Sequence, residues 1–337
     1  MTLTKSTDTG ISLTTNLYCV KEMLAHAEPH IVLDKAAKQV AMPKNKKLQI
    51  QFRRPVTFDA NTTPLQEGVT PNATQFAYEK VNTTLKQYGE YVEITDVVAD
   101  TAEDPVLQDA TMILGENLGR SREALLYSIV KGGTSVSYAN GSSRGDVNTP
   151  ISLNGLRGVV RALRANKAKP ITRVLDGGPN YATYPVEAAF IAFVHTDVVA
   201  DIRNLSGFIP VSQYGTRKTV SDHEVGTVED IRFVASADLE PFADVGGAKG
   251  SMKSTTGTSA DVYPVIIVGQ DAYGAVTLKG SEGSGMNSVN LLVNPVGKVD
   301  SSDPLAQRGT IGYKTWFSGI RLNEAWLERY EVAVTDL

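Results

Sequence analysis

The sequence has a single cysteine, Cys19, in 337 residues. One thiol excludes an intramolecular disulfide framework and suits a reducing compartment, and Cys19 reads as a small apolar residue rather than a nucleophile. Basic residues are not in excess: 33 Lys and Arg stand against 37 Asp and Glu, a formal net charge of -4. A dedicated nucleic-acid binder needs a basic surplus to displace counterions from phosphates, so that class is disfavoured. Long apolar runs are missing as well. The most apolar stretch, 185–200, is interrupted by Glu187, His195 and Asp197 and cannot supply the ~20 apolar residues of a membrane helix. The opening MTLTKSTDTG has no apolar core, so no signal peptide is expected and the chain is expected to start in the cytoplasm.

Catalytic motifs are equally scarce. There is no Gly-x-Ser-x-Gly elbow and no His-Glu-x-x-His. Gly247 followed by Lys253-Ser254 imitates a phosphate-binding loop, but Met252 stands where the second glycine is needed. Gly280, Gly283 and Gly285 lack the spacing of a dinucleotide site. His26 and His30 flank Pro29, which breaks the helix that would align their imidazoles. His195 with Asp197 and Asp201 reads as a helix start, and Asp222-His223-Glu224 as an exposed loop. No catalytic residue, metal ligand or cofactor site is assigned.

With 42% hydrophobic and 21% charged residues, the chain is long enough for a sizeable core and for more than one folding unit. Its most prominent element is a long amphipathic helix over 104–131, with Asp104 as N-cap, Pro105 in the first turn and Gly132-Gly133 as the stop. Val106, Leu107, Ala110, Ile113, Leu114, Leu118, Leu125 and Ile129 define the expected apolar stripe. Glu116, Arg120 and Glu123 are expected to face solvent or a neighbour.

Before this helix lie a polar N-terminal tail and a short helix over 17–27. Leu48, Ile50 and Phe52 then alternate with polar residues as a strand, and Tyr91 to Asp96 form a second. Between them runs a Thr- and Asn-rich excursion, 58–87, with too few apolar residues to fold on itself. It reads as a projecting two-stranded flap that must lie on something else, most simply another copy. Lys44, Lys46, Lys47, Arg53 and Arg54 crowd its base; they suit pairing with acidic residues of a neighbour or contact with phosphate, or equally a solvated strand edge. The sequons at Asn61, Asn72 and Asn82 carry no glycosylation claim without a secretory signal.

After the helix, 132–149 reads as a flexible surface loop whose Arg144-Gly145-Asp146 is a chance tripeptide. Ser152 caps a second helix, 153–166, with Arg157, Arg161 and Arg164 along one side. Strands are expected at 188–194, 227–235, 263–268 and 290–293, with a short helix over 196–205 and a flexible insertion over 240–261. Aromatic and aliphatic residues from Tyr313 through Ile320, Leu322, Trp326 and Tyr330 read as one extended apolar segment that closes beside the long helix.

The stretch 303–334, DPLAQRGTIGYKTWFSGIRLNEAWLERYEVAV, resembles the C-terminal signature of the tailed-bacteriophage major capsid proteins. In that family an Asp-Pro-Leu-x-Gln-x-Gly-x-x-Gly-x-Lys motif, here Asp303, Pro304, Leu305, Gln307, Gly309, Gly312 and Lys314, precedes a strand ending in Arg-x-Glu, here Arg329 and Glu331. Arg321 departs from the pattern by standing where an apolar residue is expected. The arm ending in Pro43-Lys44, the strand after it and the long helix follow in the family's order, while the insertions 132–149 and 240–261 match nothing in it.

The resemblance implies an α+β coat fold of the Hong Kong 97 type. Its parts would be an N-terminal arm (1–47), an extended β-hairpin loop (48–100), a peripheral domain with a long spine helix (101–150), an axial domain (151–289) and C-terminal strands returning to the peripheral domain (290–337). It further implies a non-enzymatic major capsid protein that assembles in the host cytoplasm, as hexamers and pentamers, into an icosahedral virion shell. That shell would enclose double-stranded DNA without reading its sequence, with scaffolding, portal and decoration proteins as further partners and no membrane. Intersubunit contacts are expected at Lys44, Lys46, Lys47, Arg53, Arg54, Glu67, Arg120, Arg157 and Arg161. Two alternatives remain. One is a cytoplasmic α/β enzyme or ligand-binding protein whose flap is a lid over a pocket near His195 or His223. The other is a different self-assembling virion component, such as a tail protein.

Overall fold

The computed structural model describes Met23, Ala27 and residues 30–337, apart from 44, 46, 57, 66, 69, 71, 102–105, 176–182, 216, 279–288, 295, 298–303 and 306. Cys19, His26, Lys44, Lys46, Asp104, Pro105, Gly280, Gly283, Gly285 and Asp303 therefore lie outside the described residues, as do the side chains of Val106 and Leu107. In chain order the strands are β1 Lys38–Met42, β2 Gln49–Pro55, β3 Tyr78–Thr84, β4 Lys86–Thr95, β5 Val136–Tyr138, β6 Ile171–Leu175, β7 Thr183–His195 and β8 Phe208–Pro210. They continue as β9 Glu224–Val228, β10 Ile231–Ser236, β11 Tyr263–Val268, β12 Tyr273–Leu278, β13 Val289–Asn294, β14 Arg308–Arg321 and β15 Leu327–Val332. The long helix runs Val106–Lys131 and the capped one Leu153–Ala165.

Three sheets result. A five-stranded sheet has the order β1-β12-β14-β13 with β4 on the other side of β14; an eight-stranded sheet runs β5-β15-β11-β7-β10-β9-β8 with β6 also on β7; β2 and β3 form a separate ladder. Strand β11 (YPVIIV) sits inside the large sheet and all six of its side chains are buried, which is why its sequence is a continuous apolar run rather than an alternation. In β14, Ile311, Tyr313 and Phe317 are buried while Lys314 is exposed, the alternation of a strand with one face on a core.

The flap is two-stranded as expected, but its second strand is different. β2 pairs with β3, from Gln49↔Thr84 to Pro55↔Tyr78, within the stretch read as a polar connection. Val81 and Thr83, β-branched and turned inward, supply the alternation. Of the Tyr91–Asp96 segment, Tyr91–Thr95 instead belongs to β4, which runs along β14 for ten residue pairs, and Asp96 opens a short helix. The expected strand over 227–235 also divides: Glu229 has φ 50°, and the chain reverses at Glu229-Asp230 into the β9–β10 hairpin.

The long helix has two buried faces rather than one stripe. Ala110, Leu114 and Leu118 lie in a core with Ile94, Leu291, Ile311 and Tyr313, whereas Leu126, Tyr127 and Val130 lie in another with Phe193, Ile266 and Phe317. The buried side turns around the axis along the helix, because the first half meets the five-stranded sheet and the second half the junction of both sheets. Two expectations are overturned in consequence. Ile113 is 60% exposed, and Glu123 is 1% exposed.

The two insertions are ordered. Val147, Met252, Ala260, Val262 and Ala333 form a small core, with Gly247 N donating to Val147 O at 2.9 Å. The C-terminal segment is divided: β14 lies beside the long helix, a 3-10 turn at Glu324–Trp326 follows, capped by Asn323, and β15 then joins the eight-stranded sheet between β5 and β11. Arg321 has a local reason. Its Nη1 donates to Ile129 O at 2.6 Å and its Nε pairs with Glu324, so it closes the end of the long helix.

Candidate assembly surfaces

Beyond the β2–β3 ladder the flap carries an aromatic cluster. Phe58 meets Phe76 edge-on at 6.3 Å between centroids, and Phe76 meets Tyr78 at 4.7 Å. All three are about half exposed (56%, 58% and 50%), and Val56 and Leu65 are exposed beside them in sequence. The flap root is anchored: Ile50 and Phe52 pack against Met42, Leu85 and Val276, and Thr83 Oγ1 lies 2.6 Å from Ser318 Oγ. The sequence reading missed this cluster because the stretch is polar on average; two phenylalanines in a Thr- and Asn-rich run were the signal available.

A cleft of about 490 Å³ crosses β4, β14 and β13, lined by Gln87–Tyr91, Leu292, Thr310 and Gly312–Lys314. Register puts Tyr91 and Leu292 on either side of Gly312, on the face opposite Tyr313, whose hydroxyl donates to Asn117 Oδ1 on the long helix at 2.6 Å. A side chain at Gly312 would meet the Tyr91 Cβ at 2.6 Å, so glycine keeps this floor open. Tyr91 is 66% exposed and presents its ring as open surface beside Leu292, itself 47% exposed.

Among the described residues, the suspected contact residues do not converge at one place. Lys47 and Arg53 are exposed at the flap root, Arg54 pairs with Glu79 across the ladder, and Glu67 is exposed at the flap turn. Arg120 is exposed, with Nε 3.4 Å from Asp238 Oδ1. Arg157 and Arg161 do come together, in a cleft of about 550 Å³ with Arg164, Glu229 and Asp230. There Arg157 Nε donates to Glu229 Oε1 at 2.9 Å and Arg164 pairs with Asp230 at 2.6 Å.

Among the described signature residues, Gln307, Gly309, Arg329 and Glu331 make contacts within the fold, whereas Leu305 and Lys314 are exposed. Leu305 is 77% exposed in a turn after Pro304, and Gln307 O accepts Asp96 N at 2.9 Å. Gly309 faces Val296, and Lys314 is exposed opposite Gly89. Glu331 is fully buried; Arg144 binds it from the loop 132–149, and Arg329 Nε stands 2.7 Å from Glu331 Oε1 at ion-pair distance without hydrogen-bond alignment. Arg329 also donates to Lys131 O, tying the helix end to β15.

The groups around His195 and His223 are engaged within the subunit; Glu224, expected in an exposed loop, is instead buried at the start of β9 and accepts the Tyr214 O–H at 2.7 Å. His195 Nδ1 accepts Asp197 N at 3.1 Å, Asp197 accepts from Lys253 and Tyr263, and Asp201 accepts Thr335 N. Lys253 and Ser254 of the phosphate-loop imitation are bound to Asp197 and Asp244. Neither cleft above is lined by a histidine, and no group of three or more potential metal ligands occurs among the described residues. No helix among them is long and apolar enough to cross a membrane.

A family profile described as phage capsid protein matches residues 78–319. No curated protein matches. Solved structures share the fold: the capsid of Ralstonia phage GP4 (TM-score 0.68, 10% identity, 89% of this chain and 88% of that chain) and the cyanophage Pam1 capsid asymmetric unit (0.60, 14%, 93% and 93%). The head structure of Helicobacter pylori bacteriophage KHP40 is also similar (0.58, 9%, 89% and 88%). At such identities the likeness is one of fold, and it is the Hong Kong 97-type coat fold that the sequence implied. With the profile covering most of its length, the chain belongs to the phage capsid protein family and is a capsid shell protein.

Proposed function

We propose that the chain assembles in the host cytoplasm, as hexamers and pentamers of itself, into the icosahedral head shell around double-stranded DNA. In this reading the arm (1–47) ends in β1 and the extended loop (48–100) in β4, both strands of the five-stranded sheet, and the spine helix lies in 101–150. Of the returning strands (290–337), β14 serves the five-stranded sheet and β15 the eight-stranded sheet, which with 151–289 makes the axial part apart from β12. The observation that carries the reading is the exposed cluster Phe58, Phe76 and Tyr78 on a flap rooted in the subunit. Aromatic surface of this kind at the outer end of a projecting ladder calls for a partner surface. The apolar cleft at Tyr91 and Leu292 on a neighbouring copy offers one. Scaffolding, portal and decoration proteins are further partners, and the DNA is enclosed rather than read, as the net charge of -4 suits.

Electron microscopy of the chain purified alone or co-expressed with its scaffold tests this. Shells or capsomers are expected; persistent compact monomers under all assembly conditions, or rings and tubes alone, would overturn it.

A further inference from the structure

The long helix carries Gly115, Gly119 and Glu123 at a spacing of four, one above another on a single side. Met23 and Ala27 lie on the two glycines, both buried. A Cβ on Gly115 would strike the Met23 carbonyl, and one on Gly119 would meet the Ala27 carbonyl oxygen at 2.6 Å, so backbone lies on backbone along this line. The third position continues it. Glu123 Oε1 accepts Leu33 N at 3.0 Å and Oε2 accepts Val32 N at 3.3 Å. Arm and helix therefore run parallel and in step, 23 beside 115, 27 beside 119, and 32–33 beside 123.

The Val32 and Leu33 N–H groups need an acceptor at position 123, but burial and the neighbouring acids oppose a charged one. Asp34 faces it from the 3-10 turn Leu33–Ala36, and Asp238 from the segment after β10. The nearby arginines are committed elsewhere: Arg122 Nη2 is 2.5 Å from Asp34 and Arg120 Nε 3.4 Å from Asp238, which His30 Nδ1 also approaches at 3.2 Å. From β12, the Tyr273 hydroxyl donates to Leu33 O at 2.6 Å.

We propose that Gly115, Gly119 and Glu123 form a track that seats the arm at Met23, Ala27 and residues 30–33 on the long helix, with the Glu123 carboxyl as a proton-controlled latch: the acid form holds the arm and the carboxylate loosens it. Burial pushes the Glu123 carboxyl up from 4.5 to about 8, with Asp34 and Asp238 adding to the rise and the two backbone N–H groups only partly opposing it. In the loosened arm the acid regains solvent and its ordinary range. Because the seated value is the raised one, the hold is strongest below 4.5, weakens as pH rises, and is weakest above about 8. The inference is independent of how the shell is built, since both partners lie within one subunit.

Amide hydrogen exchange of the full-length chain tests it, with protection corrected for base-catalysed intrinsic exchange. Protection at residues 30–37 should fall by about tenfold per pH unit between roughly pH 5 and 8 and then level, while β11 stays protected. Glu123→Gln should make the arm's protection flat across that range. Asp238→Asn, which removes a like charge, should bring the levelling to lower pH. Gly119→Val should leave the arm unprotected at every pH with β11 intact. Four results would overturn the proposal: a flat wild-type profile, an unchanged slope in Glu123→Gln, an unmoved plateau in Asp238→Asn, or a seated arm in Gly119→Val.

Discussion

Arg144 forks onto Glu331, with Nε 2.8 Å from one carboxylate oxygen and Nη2 2.7 Å from the other. The arginine of the Arg144-Gly145-Asp146 tripeptide is thus consumed inside the subunit, and Asp146 accepts from Ser143 Oγ at 2.8 Å. This pair fastens the loop 132–149 to β15, so the loop is structural rather than free.

Glu331→Ala should be among the most damaging single changes in the chain. It would leave Arg329, whose side chain is 10% exposed, without its counter-charge, a class of change that costs about 3–5 kcal/mol. Arg144→Ala should cost less, because Arg329 still faces the carboxylate. Urea denaturation of both variants checks the order, and equal midpoints would contradict it.

A charge at Leu118 should prevent folding, while the same charge at Ile113 should not. Leu118 is 1% exposed and Ile113 60%. Leu118→Asp should lose more than about 4 kcal/mol and appear insoluble, whereas Ile113→Asp should melt near wild type. Soluble yield and circular dichroism melts distinguish the two.

Phe58→Ser with Phe76→Ser should leave the subunit's stability within about 1 kcal/mol of wild type, because both rings are more than half exposed. Assembly should be lost. Sedimentation and negative-stain microscopy under shell-forming conditions provide the readout; normal shells would remove the flap cluster from the assembly argument.

Acid should weaken the start of the helical turn after β7. Burial, with Lys253 assisting against Asp197, holds the His195 imidazole below its usual 6.5, and its Nδ1 accepts the Asp197 N–H. A depressed value means that this contribution is complete above 6.5 and is lost as pH falls through the lower, folded value. His195→Asn, which keeps an acceptor without a proton, should flatten that part of the acid dependence in urea midpoints measured between pH 7 and 5.

Local chemistry made much of the fold legible. Ser152 Oγ accepts Gly155 N at 3.2 Å as its position before an apolar-periodic run implied, and YPVIIV became a central strand. The coat-fold signature pointed to the right family through Gly309, Gly312, Arg329 and Glu331. What failed depended on partners far along the chain. The sequence points Ile113 inward and Glu123 outward because a helix read alone shows average polarity, not that its buried side changes when its neighbour changes. Strand β3 hid because Tyr78 to Thr84 has mostly polar side chains, and only pairing with β2 makes it a strand. Among the assembly residues, single charges such as Arg54 and Arg157 looked available in sequence and are engaged within the subunit.

Strand β14 holds β4 along one side and β12 and β13 along the other, and β15 then enters the second sheet. Both sheets therefore wait for residues encoded late in the chain. A polypeptide cut short before Arg308 would leave β4, β12 and β13 without their common partner, so truncated translation products could not present a finished surface to a growing lattice.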